Sequence, residues 1–158
     1  MKSRIWKPYL YWVVFTEAVG LLAGLLSRAG TELYQQTVTK PPLSPPALVF
    51  PIVWTLLYAL MGIGAARISL TPLSGARSEC LRLYLIQLAV NFFWSLIFFN
   101  LQAFLFAFVW LVLLFALLVW MFLSFRDLDL TAARLQIPYL LWVAFAGYLN
   151  FGVWMLNR

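Results

Sequence analysis

Histidine is absent from all 158 residues, which removes the serine-histidine-acid triad, histidine-ligated zinc and histidine-ligated haem iron together. Cys80 is the only cysteine, so no intramolecular disulfide can form and the redox compartment is not readable. Charge is scarce as well: five acidic residues stand against eleven basic ones, and charged residues make up only 10% of the chain. The net charge of +6 does not point to nucleic acid, because the bases sit at the ends of apolar segments and form no basic stripe. No internal repeat and no separable soluble region divides the chain, so a single domain over residues 1–158 is expected.

What fills the chain is hydrophobic: 65% of residues are apolar and 18% are aromatic, including eight Trp. One soluble core of this length cannot hide that much apolar surface, so the chain reads as an integral, multi-pass membrane protein in contact with a lipid bilayer. Five apolar blocks, at about residues 9–26, 47–66, 83–99, 103–125 and 135–156, each approach the roughly 20 residues needed to span a bilayer. The first ends without a small-residue cleavage site and reads as a retained helix. The turn at 100–102 is so short that the third and fourth helices must be antiparallel neighbours. The expected fold is all-α, a five-transmembrane-helix bundle with a proline-rich loop capping the cavity between helices 1 and 2.

Basic residues divide unequally between the two sides. Lys2, Arg4, Lys7, Arg67, Arg77, Arg82, Arg126 and Arg134 fall on one side, and Arg28, Lys40 and Arg158 on the other. The positive-inside rule then places the N-terminus in the cytoplasm, with the proline-rich loop and the C-terminus opposite.

The segment 33–58, LYQQTVTKPPLSPPALVFPIVWTLLY, holds the densest chemistry. Pro41, Pro42, Pro45 and Pro46 fix φ and delete backbone donors, which demands a stiff, extended connection. Pro51 falls in the first turn of the next helix, where its missing N–H costs little, and Trp54 and Tyr58 follow one turn apart on one face. In the third block Gln87, Asn91, Trp94, Ser95 and Phe98 recur at spacings of three and four, and in the fifth Tyr139, Trp142, Ala146 and Asn150 do the same. Amides are costly against lipid and should face the bundle interior. Two readings stay open for Gln87, Asn91 and Asn150: ligand contact, or hydrogen-bonded glue between helices. Trp54, Trp94 and Trp142 are either cavity walls or bulk filler, whereas Trp6, Trp12 and Trp154 read as interface anchors. Ala146 leaves room for a planar molecule beside Trp142. Glu17, the one acid within an apolar block, is either functional or bonded to a neighbouring helix. The pairs Gly20/Gly24, Gly62/Ala66 and Ala103/Ala107 permit close helix contact, within the bundle or across a dimer. Asp127 and Asp129 read as a solvated loop.

These residues carry a resemblance. The pattern Tyr34, Lys40, Pro41, Pro45, Pro46, Phe50, Trp54, Leu57 and Tyr58 resembles the signature of the translocator protein family, TspO/MBR, the tryptophan-rich sensory proteins also known as peripheral-type benzodiazepine receptors. Leu33 stands where that family has Trp. NFFWSLIFF (91–99) and PYLLWVAFAGYLN (138–150) resemble its third-helix and fifth-helix motifs. The resemblance implies ligand contacts at Tyr34, Trp54, Asn91, Ser95, Trp142 and Ala146, a homodimer, and binding of tetrapyrroles, isoquinoline and benzodiazepine ligands and, in some members, cholesterol.

A membrane cavity lined by Trp, Tyr and Phe with a few amides suits a flat aromatic or sterol-like ligand with a polar edge. Porphyrins such as protoporphyrin IX or haem fit: the macrocycle stacks on Trp54 and Trp142, and the propionates reach toward Arg28 or Lys40. The expected ligand set is Tyr34, Trp54, Tyr58, Asn91, Trp94, Ser95, Tyr139, Trp142, Ala146 and Asn150, with no metal site and no obligatory cofactor. The leading expectation is a membrane receptor or sensor that binds such molecules and regulates or moves tetrapyrroles. The alternative, implied by the resemblance, is light- and oxygen-dependent protoporphyrin degradation in which Trp54 and Trp142 take the catalytic, photochemical part. Sterol or lipid-like transport stands further off, because after Tyr148 the next base is Arg158, outside the reach of the proposed sterol pattern. Proton-coupled transport through Glu17 would call for a second intramembrane carboxylate or an inverted repeat, and the sequence has neither.

Overall fold

The computed structural model describes residues 2–158, with side chains from Ile5 onward; the side chains of Lys2 and Arg4, which enter the charge count, lie outside it. Helix α1 (Lys2–Leu26) is followed by a short helix α2 (Arg28–Thr37), then α3 (Val49–Ser69), α4 (Gly75–Ser95), α5 (Phe104–Leu128), a single turn α6 (Leu130–Arg134) and α7 (Ile137–Asn157). Five segments are long and apolar enough to cross a membrane, carried by α1, α3, α4, α5 and α6–α7. The chain is an integral, five-helix membrane protein.

Hydropathy reports where lipid is, and helices run past it. Helix α1 begins well before residue 9 and passes through Pro8. Helix α4 begins at Gly75 rather than near Leu83, because Ser74 caps it: the Ser74 Oγ accepts the Arg77 N–H at 3.1 Å. The first connection is not loop throughout, as its prolines suggest, but holds α2 in its first half. Its second half, residues 38–48, has no helix, as its prolines require.

Helix α1 lies along α3, while α5 packs against both α4 and α7. The α1–α3 seam is built on small residues. Gly62 and Ala66 are fully enclosed, and a Cβ added at Gly62 would stand 2.7 Å from the Val13 Cα. At Gly20 an added Cβ would collide with the Tyr58 ring. Ala107 is likewise buried. These small residues are used inside the bundle, so they carry no argument for a dimer. Trp12, expected as an interface anchor, instead packs edge-on to the buried Tyr84 at 5.7 Å between ring centroids.

Helix α4 ends in a π-helical turn, Leu96–Asn100, from which the chain reverses into α5 with Gln102 at positive φ. Such a turn is common near functional sites. Here it sets Phe98 and Phe99 against Tyr34 of α2 and lets the Asn100 amide cap α1, donating to the Leu26 carbonyl at 2.9 Å. Gly30 admits this approach, because a side chain there would meet the Phe99 backbone. At the other end of the connection, the Tyr148 hydroxyl donates to the Pro42 carbonyl at 2.7 Å, and Asn157 exchanges two hydrogen bonds with the Thr39 backbone.

The Asp127/Asp129 region is not a simple solvated loop. Arg67 Nε and Nη2 donate to Asp129 Oδ2 and Oδ1 at 3.0 and 3.3 Å, while the same carboxylate caps α6 through the Thr131 and Ala132 N–H groups. A fork-shaped pair that is also a helix cap ties α3 to the α5–α6 corner. Asp129→Ala is expected to cost about 1–2 kcal/mol through the lost cap and pair. It should lower the thermal midpoint in detergent clearly more than Asp127→Ala, and equal midpoints would refute this role.

Candidate functional site: an aromatic cavity beneath the short helix

A cavity of about 650 Å³ opens in the half of the bundle nearest α2. Helices α1, α3, α4 and α7 form its walls, and α2 contributes Arg28, Thr31, Glu32, Tyr34 and Gln35 at its mouth. Nine of the ten expected ligand residues meet here: Tyr34, Trp54, Tyr58, Asn91, Trp94, Ser95, Trp142, Ala146 and Asn150 all line it. Tyr139 does not.

Tyr139 is fully buried beside the cavity, behind the Asn91 amide that lines it. The Asn91 amide donates to its hydroxyl at 2.6 Å, and the hydroxyl donates to Gln87 Oε1 at 2.9 Å. The glue reading therefore holds for Gln87, and Tyr139 belongs to the polar bridge that joins α7 to α4. It lies one turn before Trp142 on the same face of α7.

The aromatic wall is continuous. Trp54 stacks on Tyr58 with centroids 5.4 Å apart and meets Trp142 edge-on at 6.5 Å, while Phe50 covers the far side of Trp142 at 5.9 Å. Across the cavity Trp94 stacks on Phe98 at 5.1 Å. Its indole N–H donates to Asn150 Oδ1 at 3.1 Å, and the Asn150 amide donates to the Phe104 carbonyl at 2.8 Å. Asn150 thus serves both readings: it borders the cavity while bridging α4, α5 and α7. The Trp142 indole N–H is buried and has no partner, a donor left in the wall.

The α2 segment is held from within. Tyr34 is buried, its ring against Phe98 and Phe99, and burial pushes its hydroxyl above the ordinary range. Lys40 does not reach the cavity. Its ammonium donates to the Tyr34, Gln35 and Val38 carbonyls at 3.2 to 3.3 Å and sits 4.9 Å from the Tyr34 ring centroid, closing the C-terminal end of α2. Of the two bases expected at the lid, Arg28 alone borders the cavity, 3.8 Å from Glu32. Leu33 points away, half exposed, so the position where the resembling family has Trp lies outside the wall.

Several wall residues escaped the sequence reading. Ala23, with Gly20 and Gly24, keeps α1 thin where it faces the cavity, and nothing stands within 4 Å of a Cβ at Gly24. The GxxxG spacing was visible, but it signals helix packing as readily as room for a ligand. Phe99 enters through the π-helical turn, which no spacing rule announces. Glu17 borders the cavity from α1.

Comparison with known proteins agrees with this architecture. A model of the TspO/MBR family matches residues 12–155. The chain is 37% identical over 141 residues to the Tryptophan-rich protein TspO of Chlorobaculum tepidum, covering 89% of each chain. It is 36% identical over 125 residues to Protein CrtK of Rhodobacter capsulatus, covering 78% of each, and 31% identical over 156 residues to the Translocator protein of Bos taurus, covering 97% of this chain and 92% of the other.

Ala146 is buried beside Trp142 and Asn150, where the wall is thinnest on α7. Ala146→Phe fills that space and is expected to weaken binding of flat aromatic ligands at least tenfold while circular dichroism and detergent stability stay near the parent. Unchanged affinity in a folded variant would remove Ala146 from the site.

Proposed function

The chain belongs to the TspO/MBR family, and from that premise we propose that its cavity binds a flat, mostly apolar ligand of the porphyrin class, protoporphyrin IX or haem. The protein then acts as a membrane receptor that senses or moves tetrapyrroles. The observation that carries this reading is the unbroken wall of Tyr58, Trp54 and Trp142 bordering a space of about 650 Å³ that small residues, Gly24 on α1 and Ala146 beside Trp142, leave open. That volume falls within the range of roughly 300–1,000 Å³ found for small-molecule sites. Stacking and apolar burial supply the affinity, and a few polar atoms set the orientation. Arg28 at the mouth is the base suited to an anionic substituent such as a propionate. The unequal distribution of basic residues supports a mouth on the non-cytoplasmic side.

Titration of the detergent-solubilised protein with protoporphyrin IX in the dark tests the reading. Saturable tryptophan quenching at about one ligand per chain, weakened in Ala146→Phe, is the expected result, and its absence would overturn the porphyrin assignment.

A second reading rests on the contact between Trp54 and Trp142, two oxidisable rings in the same wall. An excited porphyrin held against them, with molecular oxygen as oxidant, would be degraded in place without any general acid or base. Illumination of the saturated complex separates the two. Protein-dependent bleaching that slows severalfold in Trp142→Phe, with dark binding retained, supports degradation, and a Soret band as stable as in darkness leaves a receptor alone.

A further inference from the structure

The hydroxyl donors around the cavity are largely spent on their own helices. Ser27, Thr31, Thr55 and Ser95 each donate to a backbone carbonyl one turn back. One of the two Asn91 amide N–H groups is taken by Tyr139, and the Trp94 indole N–H by Asn150. Besides the Tyr34 and Tyr58 hydroxyls, for which no hydrogen bond forms among the described residues, two groups stand on opposite walls. The Trp142 indole N–H on α7 is a donor without an acceptor. Glu17 on α1 is a carboxyl that forms no ion pair and no side-chain hydrogen bond among the described residues, while the other carboxyl of the lining, Glu32, faces Arg28.

Glu17 lies within the span Ile5–Leu26. A carboxyl at that depth is costly unless something satisfies it, and it keeps an accepting oxygen in either protonation state. Of its neighbours, Thr16 is already bonded to Tyr84, and the Tyr58 hydroxyl, near enough to feel the Glu17 charge, forms no hydrogen bond with it among the described residues. One turn on, Gly20 lets the Tyr58 ring press against α1, and from Tyr58 the stacked Trp54 leads across to Trp142. Glu17 thus stands at one end of the aromatic wall, with the enclosed Trp142 indole N–H at the other.

We propose that Glu17 is a specificity determinant that accepts a hydrogen bond from an N–H group of the bound heterocycle, so that the cavity selects flat aromatic molecules bearing such a donor over analogues in which it is blocked. The proposal deepens the reading of the cavity as a flat-ligand site and rests on it. The donor has to stand on the rim of the ring system, as an indole- or carbazole-type N–H does, for a side chain in the wall to reach it.

Carbazole and N-methylcarbazole, alike except for the N–H, test this without a porphyrin. Both are titrated against the full-length parent, Glu17→Gln and Glu17→Leu in one detergent, so that differences in micelle partitioning cancel between variants. Leucine is at home in a lipid-facing helix, and binding of N-methylcarbazole reports that the cavity stays intact. The expected preference of the parent for carbazole is about tenfold, the scale of one hydrogen bond in a buried site. Gln keeps an accepting oxygen and should retain part of that preference. Leu should abolish it with N-methylcarbazole affinity unchanged. An undiminished preference in Glu17→Leu, no preference in the parent, or no binding of either probe would each overturn the proposal. A carbazole preference that depends on Glu17, in a protein that gives no saturable quenching with protoporphyrin, would remove the porphyrin assignment and leave this inference standing.

Discussion

The Tyr139 hydroxyl, accepting from Asn91 and donating to Gln87, is the interaction on which the cavity depends. It lies where the lipid core offers no water to substitute for a missing partner, so a buried amide there must be bonded from within the protein. It joins α7 to α4 through side chains alone, while the backbones of both helices pack on α5 between them. Above it the same two helices are bridged again by Trp94 and Asn150, and the second bridge reaches α5 through the Phe104 carbonyl. Two polar crossings, from Tyr139 and Asn150 of α7 to Asn91 and Trp94 of α4, hold these walls together while the space between α7 and α1 stays open.

What keeps that space open is the distribution of small and large side chains. Where α1 meets α3 low in the bundle, Gly62 brings the backbones into contact and nothing could enter. Higher up, α1 again carries Gly20, Ala23 and Gly24, yet only Gly20 is pressed, by the Tyr58 ring, and Gly24 borders empty space. The same residue type therefore closes one end of the seam and opens the other, according to whether a backbone or a void faces it. Helix α2 completes the enclosure because it is fixed at both ends: Gly30 rests on the π-helical turn, and the stretch beyond Lys40 is bonded to α7 through Pro42 and Thr39.

Much of this was legible in the sequence, and the limits have physical reasons. Long apolar blocks report lipid contact, so the five spans and the tight α4–α5 turn follow from hydropathy alone. Helical spacing placed Asn91, Trp94, Ser95, Trp142, Ala146 and Asn150 on faces that do converge on one cavity. Spacing fixes a face but not which side chain stands in front, which is why Tyr139 read as wall and proved to lie behind Asn91. Helix α2 was hidden because a polar, partly exposed ten-residue segment has no hydropathy signal and begins without a side-chain cap. Lys40 followed from that omission: its role is to satisfy the last carbonyls of a helix that the sequence did not announce. Asp129 looked solvated because its partner, Arg67, is distant in sequence.

The polar groups of the cavity argue for what kind of molecule can occupy it. Four wall hydroxyls point their protons into their own helices, which lets Ser and Thr line an apolar site without demanding anything of its occupant. A ligand rich in polar groups would leave most of them unmatched against Trp, Phe and Leu side chains, and each unmatched group costs about 1–3 kcal/mol. A flat ring system has the opposite balance, since its faces need only the stacked aromatics and its few heteroatoms need only a donor and an acceptor. On the proposed reading the stacked rings supply affinity and Glu17 supplies orientation, so the two can be altered separately.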